Sequence, residues 1–213
     1  MSDFSVAALQ SMFNSSFNGT KSGTISDTQN GAGTFSTVIS HQNGVATYDE
    51  TITYADGKTV EEQSTITQNS DGSLQDVTQK YVNGVASGEK TVDTSIDGDT
   101  LSKTSEKLKA DGSVKSTTTT TLTANADGTE TLSGTRTNAK GNVSDITGTV
   151  SKSAAGTDRS ETITNAAGKT EAINDLRTLS NGTMVNTRTG VTFGGVAFSD
   201  TTTKTLLDVQ KST

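Results

Sequence analysis

Chemistry in this chain would have to come from a short inventory of side chains. His41 is the one histidine and cysteine is absent, which removes disulfides, zinc-thiolate sites, histidine metal clusters and cysteine nucleophiles together. His41 lies in "SHQNGV" beside a turn signal, where a solvated strand-end residue is expected rather than a general base. Asp and Glu number 24, but paired-carboxylate catalysis needs a cleft that a thin sheet does not supply. Three tyrosines and no tryptophan are available to stack on a sugar. "NADGTE" has the middle of a calcium loop, but Thr123 and Gly134 stand where the loop requires a carboxylate and a Glu. No GxGxxG, P-loop or GxSxG motif occurs. The expectation is a protein with no catalytic residue, no cofactor and no metal, and therefore not an enzyme.

One constellation recurs. "TIT" stands at 51–53, 65–67 and 162–164, "TLT" at 121–123, "TRT" at 135–137 and 187–189, and "TTTTT" at 117–121. On a strand the two Thr of a TxT point to one face and the central residue to the other. Three uses compete: a solvated Thr ladder worth about 0.2–1 kcal/mol per cross-strand pair, a face packed on a neighbouring subunit or polysaccharide, and a flat array that orders ice. Sheet twist opposes the last.

The elements that position these residues are punctuated by turn dipeptides. Asn43-Gly44, Asp56-Gly57, Asp71-Gly72, Asn83-Gly84, Asp127-Gly128 and Asn181-Gly182 carry the strongest short-range hairpin signal. Residues between turns alternate: Tyr48, Ile52 and Tyr54 share a parity, as do Val60 with Ile66, and Ile146 with Val150. A solenoid repeats by translation, whereas a meander mirrors about each turn. A three-residue loop Ala126-Asp127-Gly128 sets Leu122 opposite Leu132. Similar loops set Leu108 opposite Val114 and Ile52 opposite Val60. "VTFGGVAF" reads as a two-residue loop at Gly194-Gly195, pairing Phe193 with Val196 and Val191 with Phe198.

The predicted fold is all-β, a long antiparallel β-meander of about ten to fourteen strands counted from its turns, partly single-layer or an open roll. Phe4, Val6, Leu9, Met12 and Phe13 sit at helical spacing after Ser2 and Asp3, which predicts a short amphipathic helix over 3–14. The organisation expected is an N-terminal segment or assembly arm over 1–20, a repetitive meander over 21–200, and a final strand or tail over 201–213. Hydrophobic residues make up 29% of the chain and thin out between 85 and 170, so the middle reads as weakly cored.

Net charge of −7 argues against nucleic acid and anionic membranes. No apolar run spans a bilayer, and a transmembrane barrel would need an outward apolar band with aromatic girdles. The start lacks the basic and apolar regions of a cleavable signal. The stretch "ADGKTVEEQSTITQNSDGSLQD" resembles, in pattern, the single-layer sheet of spirochaetal outer surface lipoproteins. The acidic, Cys-free and Pro-free composition resembles substrates of bacterial secretion systems that use an uncleaved C-terminal signal, which would be Thr201–Thr213 here. Those resemblances imply a secreted or cell-surface protein.

The functional expectation is a non-enzymatic structural subunit that associates with itself in a fibre, biofilm matrix or surface coat. Its edge strands would carry unpaired N–H and C=O groups, and its apolar ends would complete the next copy. Phe4, Leu9, Phe13, Phe193 and Phe198 are the candidate assembly residues. Partners are the chain itself and a polysaccharide. The alternative is a monomeric Thr-array protein that binds ice or glycan.

Overall fold

A computed structural model of the chain describes residues 6–95, 100–109, 113–154 and 156–212. One helix, α1 (Val6–Phe13), precedes fourteen strands among these residues. They are β1 (Gly19–Asp27), β2 (Gly31–Gln42), β3 (Val45–Tyr54), β4 (Thr59–Gln68), β5 (Leu74–Val82), β6 (Val85–Ser95), β7 (Thr100–Leu108), β8 (Val114–Ala124), β9 (Glu130–Asn138), β10 (Val143–Ser153), β11 (Gly156–Asn165), β12 (Thr170–Ser180), β13 (Thr183–Val191) and β14 (Ala197–Lys211). Every strand is antiparallel to its sequence neighbours, so the chain is the expected meander with a short N-terminal helix.

Turn chemistry sets the registers. Asn43, Asn83 and Asn181 have φ of 53°, 51° and 49°, the left-handed conformation that a two-residue Asn-Gly hairpin of type I′ requires. The Asp-Gly loops close differently. Asn125 N–H donates to the Thr129 carbonyl at 2.8 Å, and Asp127 Oδ1 accepts from Thr129 N–H at 3.0 Å and its hydroxyl at 2.6 Å. Leu122 then faces Leu132, Leu108 faces Val114 and Ile52 faces Val60, as the mirrored pattern predicts. The last hairpin differs from expectation by one residue. Thr192 N–H donates to the Val196 carbonyl at 2.9 Å, so the loop holds three residues and Phe198 lies opposite Gly190 rather than Val191. A Cβ at Gly190 would sit 2.6 Å from the Phe198 ring and 2.2 Å from the Ala172 carbonyl oxygen. The glycine makes room for the ring, and that contact selects the register.

Where the sequence suggested a single layer or an open roll, β1 pairs with β14 over nine residue pairs and the sheet is a closed barrel. The fifteen-residue β14 makes this fit. Residues 197–205 pair with β13 and 202–211 with β1, and this offset absorbs the stagger that tilted strands accumulate around a ring.

Inward positions carry the core. Fourteen strands about 4.8 Å apart and tilted about 40° would ring a lumen about 28 Å across. Yet Ile66, Leu132, Ile146 and Ile163 are fully buried. Side chains pointing into a wide water-filled lumen would not be, so the barrel is flattened and its walls cover one another. The stretch from 85 to 170 is not weakly cored. It supplies Leu101, Leu122, Leu132, Ile146, Val150 and Ile163 to the main cluster. Its apolar residues are few but occupy inward positions, which is why a low apolar count suffices. Leu9 of α1 is buried in the same cluster.

Candidate functional site

The inward face is not uniformly apolar. Beside the smaller cluster of Ile25, Phe35, Ile52, Tyr54 and Val60 lies a cavity of about 660 Å³ lined by residues of β1–β5 on one side and β10–β14 on the other. Glu50, on the inward parity of β3, is buried and ion-paired with Lys204 of β14, and its Oε2 accepts from the Thr37 hydroxyl at 3.1 Å. The Lys204 ammonium also lies 5.5 Å from the Phe35 ring centre. Asp27 accepts from the Tyr54 hydroxyl at 2.5 Å and from Gln29 N–H at 2.9 Å. Burial raises the Asp27 carboxyl, but these donors and Asn30 outweigh it and hold the group below the ordinary carboxylate value. Burial, reinforced by the Asp27 carboxylate, pushes the Tyr54 phenol strongly up.

The opposite wall carries arginines. Arg159 reaches Glu161 at 2.7 Å and Arg188 reaches Asp175 at 3.7 Å. Burial lifts the Asp175 carboxyl above its ordinary value, against the pull of Arg188 and Arg159. Arg177 is on the same inward parity, one position along β12 from Asp175 on that face.

At the other end, α1 is tied to the barrel by groups the sequence did not single out as partners. His41 is not a solvated strand-end residue. Its Nδ1 lies 2.9 Å from the Phe17 carbonyl and its Nε2 2.9 Å from the Met12 carbonyl, which also accepts from the Tyr48 hydroxyl at 2.8 Å. The last carbonyls of a helix lack intrahelical partners, and α1 has no basic residue in its last turn. His41 and Tyr48 supply the missing donors from β2 and β3. This is an anchoring role.

The Thr of the TIT, TLT and TRT motifs face outward, whereas Thr118 and Thr120 of the 117–121 run share the inward parity of Leu122 and Thr120 is buried. Across five strands Ser102, Thr121, Ser133, Thr147 and Thr162 lie in register, and beside them run Thr100, Thr123, Thr131, Thr149 and Ser160. These residues are exposed or half-buried, and strand geometry spaces them about 4.8 Å across and about 6.8 Å along the wall.

Closure covers most strand edges but not all. β13 ends its pairing at Thr183 with Thr205, and Leu206 N–H donates to the Gly182 carbonyl at 2.9 Å. Beyond this point β14 pairs only with β1, and Leu207 and Val209 are exposed there. The residues expected to mediate assembly lie elsewhere. Leu9 is buried, and Phe13, Phe193 and Phe198 pack half-buried against the chain's own core. Phe4 lies outside the described residues.

The cavity charges were missed in the sequence although a signal existed. Arg159 and Glu161 share the parity of Ile163, and Lys204 and Asp200 that of Phe198, so charges recur on the apolar face of several strands. Which of them meet was not readable, because Glu50 and Lys204 are 154 positions apart. No family model matches the chain, and no curated protein does. Among solved structures, one described as "Asymmetric conductivity of engineered proteins" is similar over 90% of this chain and 99% of its own, at 9% sequence identity and a TM-score of 0.49.

Proposed function

We propose that this chain is a non-enzymatic structural protein that works through its outer wall, holding a repeating hydroxylated surface such as the polysaccharide of an extracellular matrix or coat. The observation that carries the reading is the in-register Thr and Ser lattice on β7–β11. Hydroxyls at a fixed spacing offer a donor and acceptors at each node, and their methyl groups lie between. A wall of this kind is built for water or a polar partner, since lipid would require an apolar band there. Twist favours a flexible polymer, which can follow the wall, over a rigid ice plane. The test is cosedimentation with amorphous, acid-swollen cellulose and chitin, whose loosened chains can follow a twisted wall, with an ice-recrystallisation assay alongside. Replacing Thr121 and Thr147 with Lys should abolish pelleting while circular dichroism stays unchanged. Pelleting equal to that of the parent chain defeats the proposal, and activity in the ice assay alone favours the ice-binding alternative.

A second reading, self-association, rests on a separate feature. The edge of β14 from 207 to 211 offers backbone donors and acceptors flanked by exposed Leu207 and Val209. Secretion through a C-terminal signal within 201–213 remains part of the proposal. Because that segment is also the closing strand, deleting it would open the barrel, and secretion is better tested by substitutions at Leu207 and Val209.

A further inference from the structure

We propose that the cavity between the β1–β5 and β10–β14 walls binds a small amphipathic acid, with its apolar body against β3–β5 and its anionic head at Arg177 and Arg188. The cavity's volume, about 660 Å³, lies within the roughly 300–1,000 Å³ of small-molecule sites, which favour the mouths of β-barrels. Its two sides differ in chemistry. Ile52, Val60 and Val82 present hydrocarbon from one wall. From the other, Arg177 and Arg188 come from neighbouring strands, two residues apart in register through the pairs Arg177–Asn186 and Asp175–Arg188.

Charge sets the sign of the ligand. Six of the chain's seventeen Lys and Arg line this cavity, against five of its 24 Asp and Glu, so the lining is net positive in a chain of net charge −7. The carboxylates are already engaged. Glu50 is held by Lys204 and Thr37, Asp27 by Tyr54 and Asn30, and Glu62 by Lys80 at 3.5 Å. The cations of the β12–β13 side are less committed. Arg188 keeps a side-chain exposure of 47% and a 3.7 Å approach to Asp175. The Arg177 side chain makes no hydrogen bond or ion pair among the described residues, and the residue lies half-buried in the lining. A guanidinium presents its donors in a planar fork that matches a carboxylate or phosphate. Thr28 and Gln29 of the β1–β2 turn line the cavity and are exposed, so the cavity reaches the surface there.

Isothermal titration calorimetry with dodecanoate, and with dodecanol as its neutral counterpart, tests the inference on the full chain. Saturable one-to-one binding of dodecanoate is expected, with dodecanol at least tenfold weaker. Arg177→Gln should weaken dodecanoate at least tenfold and leave dodecanol unchanged, and Arg188→Gln should act in the same direction. Lys115→Gln, on β8 and away from the cavity, should change neither. Circular dichroism and thermal melting establish that each variant is folded, and Arg188→Gln serves if Arg177→Gln is not. Absence of saturable binding, equal affinity for the alcohol, or dodecanoate affinity indifferent to both arginine substitutions would each overturn the site. This inference is independent of the Thr lattice, whose variants should bind dodecanoate normally.

Discussion

Removing the ion pair between Glu50 and Lys204 tests the closed barrel and the polar lumen in one experiment. In a meander whose first and last strands do not meet, β3 and β14 lie far apart. Once β1 joins β14, only β1 and β2 separate them, and Lys204 reaches a carboxylate that is 5% exposed. Lys204→Met strands that carboxylate with the Thr37 hydroxyl as its remaining partner, a situation that costs about 3–5 kcal/mol. Glu50→Gln leaves the ammonium 14% exposed over the Phe35 ring, so its cost should be smaller, about 1–3 kcal/mol. The double variant has neither charge and should lose much less than the sum, giving a coupling of about 2–3 kcal/mol. Urea denaturation followed by far-ultraviolet circular dichroism measures all four proteins, since the chain has no tryptophan. Additivity to within about 0.5 kcal/mol would mean that the two side chains do not meet, and both the closure and the cavity reading would fall with it.

Two further expectations follow from the turns and registers. Gly190→Val should destabilise by about 3 kcal/mol, because the new Cβ meets the fixed Ala172 carbonyl as well as the Phe198 ring. That amounts to a melting temperature lower by about 6–12 °C, and Phe198→Ala in the same chain should restore only part of it; an unchanged melting temperature would refute the three-residue loop register. Hydrogen bonds from the Thr129 hydroxyl and N–H hold the Asp127 carboxyl below its ordinary value of 3.8. Its contribution is therefore present above the unfolded-state value and lost as pH falls through the folded one. Denaturant midpoints of the parent chain and Asp127→Ala should differ at pH 6 and converge toward pH 2, and a gap constant with pH would show that the carboxylate's charge is not what matters.

The sequence by itself determined most of what depends on neighbours within a turn, the loop after Thr192 being the exception, where it was off by one residue. Asn-Gly and Asp-Gly carry their own left-handed backbone preference, and alternation about each turn sets which residues face together, so Leu122 opposite Leu132 was legible from twelve residues. The same parity put the TxT motifs on one face and Ile146, Val150 and Ile163 on the other. Only the tertiary structure decided which face was inside, because apolar content was too low to announce a core until the walls closed over it. Closure itself depends on hydrogen bonds between 19–27 and 202–211, and backbone donors carry no sequence label across that distance. The candidate sites follow the same division. The Thr lattice is a product of local alternation and could be seen in advance. The cavity could not, because Glu50 and the rest of the β1–β5 wall come to face Lys204, Arg188 and Arg177 only when β14 lies beside β1.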